Sequence, residues 1–521
     1  MKKIYSFLFF LTGLCAFAQI TEVENINPSG DSNPNELYVN NGVLFFEADN
    51  GTSGNEPFIY DGNSVNLILD INTTSFANGN SNPGRFIAFD NLIYFKASDG
   101  DEDDGNNETE LWQTDGTAAG TTLVVDINPT ASGNPQDFFI FNNELYFEVN
   151  DVTSTQIWAL NSGNPVKVTD NNGGAFASPS APLVFGGGVY IRMNSGNGNN
   201  PHIFDGTTAT ELIDASTGTE RSRGLFNNEV YFEGDDGTGI GDELYKTDGT
   251  IAGTVLVADI LTGSGNSDPR DFVEFNGELY FAAEDADGYN LWKTDGTTAG
   301  TELVVNPNTT GDSEVGNLFT DGTNLYFSGT DGSVGAELWK FDGTNVSLLS
   351  DINSGGDSSP TGFVNLNGKV FFTADDGSGQ KLWVTDGTTA NTQSVAANVG
   401  SGEDPINVAN LTVFGTQLIF SGLGANGNEL FSFDPATLNV SQIENLENQI
   451  SIFPNPASST LNIKTNLDNN LSYSISDING RQLQRGQLKD NVLNLNLASG
   501  LYILQLQTEN NVKISKKFIV E

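Results

Sequence analysis

Gly277–Val305 reads GELYFAAEDADGYNLWKTDGTTAGTELVV. It holds an apolar triplet (Leu279-Tyr280-Phe281), an acidic glycine-containing loop, a second apolar pair with Trp292, an Asp295-Gly296 turn and a Val-rich run. The preceding DFVEF (Asp271–Phe275) predicts a first strand. Glu278–Ala282, Asn290–Lys293 and Thr301–Val305 predict three more. An Asp-Gly pair between two apolar runs is a hairpin signal, because glycine accepts the positive φ such turns require. The triplet is apolar at consecutive positions, so its strand is expected to be buried on both faces.

The same unit recurs along the chain. The triplet returns as Leu44-Phe45-Phe46, Ile93-Tyr94-Phe95, Leu145-Tyr146-Phe147, Val189-Tyr190-Ile191, Val230-Tyr231-Phe232, Leu325-Tyr326-Phe327, Val370-Phe371-Phe372 and Leu418-Ile419-Phe420. The aromatic position holds Phe58, Trp112, Trp158, His202, Tyr245, Trp292, Trp339, Trp383 and Phe431, which takes in all 5 tryptophans. From Asp61 to Asp434 the mean period is about 47 residues. Four short strands per period, repeated, predict an all-β fold of stacked four-stranded sheets, a large β-propeller of eight or nine blades. Thr21–Pro28 (TEVENINP) looks like the fourth-strand segment Val124–Pro129 and is expected to close the ring on the last blade.

The segments Glu110–Thr117 (ELWQTDGT), Glu243–Thr250 (ELYKTDGT), Asn290–Thr297 (NLWKTDGT) and Lys381–Thr388 (KLWVTDGT) resemble the bacterial ELWxxDGT repeat. That family label describes a repeat and implies no reaction. Units three and four depart from it, with Asn161-Ser162 for Asp-Gly and His202 for Trp, and are expected to be irregular.

Composition divides the chain further. The 521 residues carry a formal net charge of −46. Residues 19–449 hold 12 basic and 62 acidic groups, whereas 450–521 hold 7 basic and 5 acidic. Such an acidic chain is repelled by phosphate backbones, which excludes nucleic acid. Residues 1–18 have basic Lys2 and Lys3, an apolar run, and Ala16 and Ala18 at A-x-A spacing. They read as a signal peptide cut after Ala18, and no later segment is apolar enough to span a membrane. Cys15, the only cysteine, lies in that leader. The mature chain then has no disulfide and no thiolate chemistry.

Residues 19–445 therefore read as the repeat domain and 446–521 as a separate module, a small Ig-like β-sandwich predicted from alternating runs such as Leu493–Leu497. This module resembles the type A C-terminal sorting domain of the type IX secretion system of Bacteroidetes. The matching residues are Phe453 with Pro454, Asn455 and Pro456, then Asp477–Arg481 (DINGR, with Asp477 and Gly480). Leu497–Leu506 follows with Gly500 and Tyr502, then the basic close Lys513–Val520 with Lys516 and Lys517. The resemblance implies type IX secretion machinery as a partner, removal of the module, and a chain released or held at the outer cell surface. The competing reading is an ordinary accessory sandwich.

Chemistry is sparse in the sequence. His202 is the only histidine and occupies a core slot, so a serine triad is not expected. The acidic loops are densest at Asp99, Asp101, Asp103 and Asp104, the candidate ligands for Ca²⁺, a hard cation wanting six to eight oxygens. No other cofactor is expected. The competing reading makes these loops solvated turns. No catalytic residue can be named. The expected role is binding or adhesion toward an extracellular glycan or protein; the alternatives are a carboxylate-dependent polysaccharide-acting enzyme and a structural matrix protein.

Overall fold

The computed structural model describes residues 20–74, 79–100, 108–129, 131–151, 155–161, 163–168, 180–194, 199–213, 222–395, 403–435, 450–465, 471–477, 482–488, 491–507 and 513–521. Two compact units divide the chain: Thr21–Val395 with Glu403–Ser432, and a second containing Phe433–Glu521.

The first unit is built from nine four-stranded sheets. Eight are simple up-and-down meanders over 35–67, 84–125, 136–167, 180–211, 223–258, 270–305, 316–350 and 361–394. In the ninth, Ile406–Phe414, Gln417–Gly424 and Gly427–Phe433 come from the end of the repeats. Its fourth strand is Ile20–Glu24, which lies beside Gly427–Phe433. The N-terminal segment thus covers the edge that the last repeat lacks residues to cover.

In the sixth sheet the strands are Arg270–Phe275, Glu278–Asp285, Gly288–Thr294 and Glu302–Val305. The middle two are longer than expected, because only Ala286 and Asp287 separate them and Asp285 pairs with Gly288. The third and fourth sheets are four-stranded like the rest, against the expected irregularity. Asn161 pairs with Asn164 across a tight turn, so the hairpin forms without Asp-Gly.

Consecutive sheets share apolar cores, because the triplet strands bury both faces. Tyr94 and Leu111 of the second sheet pack with Leu145 and Phe147 of the third. Tyr326 and Leu338 of the seventh meet Phe372 and Trp383 of the eighth. Ile419 and Leu430 of the ninth meet Leu44 and Phe46 of the first, so the succession returns on itself. First strands also touch their counterparts, Asn35–Asn40 meeting both Gly84–Phe89 and Ile406–Phe414. This is the packing expected of propeller blades.

The second unit has two sheets. One holds Ile450–Phe453, Thr460–Thr465 and Val492–Asn494; the other holds Ser472–Asp477, Gln482–Gln487, Gly500–Gln507 and Lys513–Val520. Leu461, Ile463, Ile475, Leu504 and Phe518 belong to the core between them.

Candidate functional site

Most acidic side chains of the repeats are engaged by the fold itself. Two residues before the aromatic position stand Glu56, Glu110, Glu243, Glu337 and Glu429, all buried. Each receives donors from the segment leading to the next sheet. Ile71 N and Ser81 Oγ donate to Glu56 at 2.9 and 2.7 Å. Ile127 N and Gly133 N serve Glu110 at 3.1 and 2.6 Å. Ile352 N and Ser358 Oγ both reach Glu337 at 2.7 Å. Burial pushes the Glu56, Glu110 and Glu243 carboxyls up to about 7, with these donors pulling the other way. Nothing local in the sequence marks this role for the Glu of ELW, since its partners lie 15 to 25 residues away.

The repeated Asp-Gly-Thr turns are consumed locally as well. Asp295 Oδ1 accepts Thr297 N at 2.9 Å and Thr297 Oγ1 at 2.7 Å. Asp115, Asp248 and Asp386 do the same with Thr117, Thr250 and Thr388. The threonine hydroxyl holds the Asp115, Asp248 and Asp295 carboxyls below their usual range. In the acidic loops, Asp235 accepts Gly237 N and Asp375 accepts Gly377 N. Asp99 follows the strand Leu92–Ser98, while Asp101, Asp103 and Asp104 lie outside the described residues. Glu233, Asp242 and Asp268 bring carboxylate oxygens within 4.8 Å of one another, a grouping that no local spacing signals. His202 is buried, its Nδ1 lies 2.9 Å from the Asn200 carbonyl, and burial lowers its pKa.

The first strands carry the exposed polar wall. In seven sheets the second residue of this strand has positive φ, at Glu36, Arg85, Asp137, Asp271, Asn317, Gly362 and Asn407. The pairing slips there by one residue, for example between Asn35 and Tyr38 and between Gly84 and Ile87, so each is a β-bulge. Neighbouring bulges are tied together. Glu36 Oε2 accepts Arg85 N at 3.0 Å, and Asp271 Oδ2 accepts Asn317 N at 2.7 Å. Asn410 Nδ2 donates to Asn35 Oδ1 at 3.3 Å, linking the ninth sheet to the first. A cavity of about 460 Å³ opens here, with Asn35, Glu36, Arg85, Asn410 and Thr412 on its polar side and Leu37 and Leu411 among its apolar residues. Its size falls within the range of small-molecule sites. Further along the same strands Ile140, Val184, Leu225 and Val413 are exposed.

In the second unit the entry residues are fastened to the final strand. Asn455 Oδ1 accepts Ile519 N at 2.9 Å and its Nδ2 donates to the Lys517 carbonyl at 3.4 Å. Pro454 and Pro456 flank it, and Ala457 bridges to Val520. Tyr502 Oη donates to the Ala498 carbonyl at 2.7 Å, and Tyr502 pairs with Asp477. Gly500 pairs with Val520; Lys517 is exposed and Lys516 partly so. Ala18 and Gly480 lie outside the described residues.

Residues 451–521 match the family model described as secretion system C-terminal sorting domain. The C-terminal module is a type IX sorting domain, and the chain is exported to the cell surface or the extracellular space. No helix among the described residues is long and apolar enough to cross a membrane. No curated protein matches the chain. Among solved structures, a puromycin hydrolase is similar at 14% identity and TM-score 0.35 over 68% of this chain, which spans 60% of the length of that enzyme. PorZ, an essential bacterial surface component of the type IX secretion system of Porphyromonas gingivalis, is similar at 13% identity and TM-score 0.32, over 93% of this chain and 75% of PorZ. The β-propeller domain of the Trilobed protease from Pyrococcus furiosus is similar at 11% identity and TM-score 0.35, over 58% of this chain and 93% of that domain. Likeness of this size assigns no activity.

Proposed function

We propose that the chain is a secreted or surface-held nine-bladed β-propeller that binds an extracellular glycan or protein. Residues 1–18 serve as the export leader, 19–445 as the binding propeller, and 446–521 as the Ig-like sorting domain. The observation carrying this reading is the division of labour among polar groups. Buried glutamates and turn aspartates serve the framework, while the bulged first strands keep exposed side chains around a cavity. Binding needs only such a wall on a rigid scaffold. Screening the purified mature chain on a glycan array, with hydrolysis of the same glycans followed in parallel, tests the reading. Retention without turnover is the expected result. Turnover abolished by a single carboxylate substitution would replace binding with a carboxylate-dependent hydrolase.

A further inference from the structure

Resting on that binding role, we infer that the cavity between the ninth, first and second sheets is a subsite for a sugar acid, and that Arg85 recognises its carboxylate. The first observation is backbone strain. Left-handed backbone is disfavoured for an ordinary side chain, while glycine, asparagine and aspartate adopt it more readily. At the equivalent bulge five other sheets use Asp137, Asp271, Asn317, Gly362 and Asn407. Among the seven described positive-φ bulge residues, Glu36 (φ 54) and Arg85 (φ 58) alone are neither Gly, Asn nor Asp, and they lie in adjacent sheets on the wall of one cavity. Glu36 has a framework role, since its carboxylate accepts the Arg85 N–H as Asp271 accepts that of Asn317, whereas the fold would be served better by Asn at 85. What Arg85 adds is its side chain, and strain kept at a cavity points to function.

The second observation is the state of the guanidinium. Lys167, Lys246, Lys293 and Lys381 form ion pairs with nearby carboxylates, while Arg270 sits over the Tyr289 ring and Lys340 donates to the Gly387 carbonyl. Arg85 is exposed, and among the described residues no carboxylate pairs with its guanidinium. The adjacent Glu36 carboxylate instead accepts the Arg85 backbone N–H at 3.0 Å. Glu36 thereby fixes the strained backbone, and Arg85 lines the cavity with a guanidinium, a group able to take a carboxylate in two parallel hydrogen bonds.

The rest of the wall narrows the ligand class. Asn410 Nδ2 is spent on Asn35 Oδ1 and Ser421 Oγ, and Thr412 Oγ1 donates to the Asn410 carbonyl, so the Asn35 amide N–H and the accepting lone pair of the Thr412 hydroxyl are what suit sugar hydroxyls, while Leu37 and Leu411 suit the C–H face of a pyranose ring. The 62 acidic against 12 basic groups of residues 19–449 disfavour a polyanion. A short oligosaccharide ending in one uronic acid fits both the local cation and the overall charge.

The test is calorimetric titration of the mature chain with galacturonic and glucuronic acid, their neutral parents galactose and glucose, and sulfate. The acids are expected to bind at least tenfold more tightly than the neutral sugars. Arg85→Asn is expected to lose at least tenfold in that affinity while melting at the same or a higher temperature, since it installs the residue found at 317 and 407. Absence of uronate binding, or equal binding by Arg85→Asn, overturns the assignment. Sulfate binding as well as the uronates would overturn the sugar-acid class. Glycans that bind the chain with no response to Arg85→Asn would overturn the subsite while leaving the binding role intact.

Discussion

Ser81 Oγ donates to Glu56 Oε2 across 2.7 Å, and the Ser81 N–H reaches Oε1 of the same carboxylate at 3.1 Å. Both side chains are fully buried. Glu56 belongs to the third strand of the first sheet, and Ser81 lies just ahead of the second sheet. One carboxylate thus fixes how one repeat leads into the next. Ser81→Ala leaves a buried carboxylate short of a donor, a loss of about 1–3 kcal/mol. The mature chain should melt several degrees lower in calorimetry, whereas Ser29→Ala in an exposed loop should leave the transition where it is.

Acidity should also move the stability. Burial raises the Glu56, Glu110 and Glu243 carboxyls from 4.5 to about 7 in the folded chain. A raised carboxyl binds its proton more tightly when folded, so its stabilisation is complete below about pH 4.5 and is lost as pH rises through 7. Each unit of such a shift corresponds to about 1.4 kcal/mol. These three groups therefore favour a higher midpoint of denaturation at pH 5 than at pH 8. Urea titrations at the two pH values should show that order, and Glu56→Gln should narrow the difference.

Ile20–Glu24 completes the ninth sheet from the opposite end of the repeats. Thr21 Oγ1 meets Ser432 Oγ at 3.0 Å, and Asn426 Nδ2 donates to Glu22 at 3.0 Å. Deleting residues 19–24 exposes the backbone of Gly427–Phe433, a row of groups able to pair with another chain. The truncated protein should melt earlier and elute partly as larger species on size exclusion with light scattering.

Asn455 holds the entry of the sorting domain to its last strand through Ile519 N and the Lys517 carbonyl. Asn455→Ala removes both contacts. The share of the chain reaching the cell surface or medium should fall, with the remainder retained in the periplasm, as read by immunoblots of the fractions. Lys464→Ala, on the other sheet, should be exported normally.

Much of the architecture was legible in the residues. Consecutive apolar triplets such as Leu325-Tyr326-Phe327 require a strand buried on both faces, and their return about every 47 residues requires sheets stacked on sheets. Asp-Gly-Thr announces its own turn because donor and acceptor sit within two residues. The covering strand at Thr21–Pro28 was visible as a copy of a fourth-strand segment, and the sorting domain through Asn455 and Tyr502. The site was far less legible. Asn161 and His202 suggested irregular repeats, yet the hairpin of the third sheet and the core of the fourth accept them.

What the sequence by itself determined is whatever depends on neighbours along the chain: strand period, turn chemistry, charge division and the C-terminal sorting domain. Only the tertiary structure decided which charges are spent and which are available. Glu56 and Glu36 look alike in sequence. Packing buries the first under Ser81, while a bulge leaves the second on a cavity wall beside Arg85. Burial and hydrogen-bond partners are set by residues tens of positions away, so they arise only once the sheets have stacked.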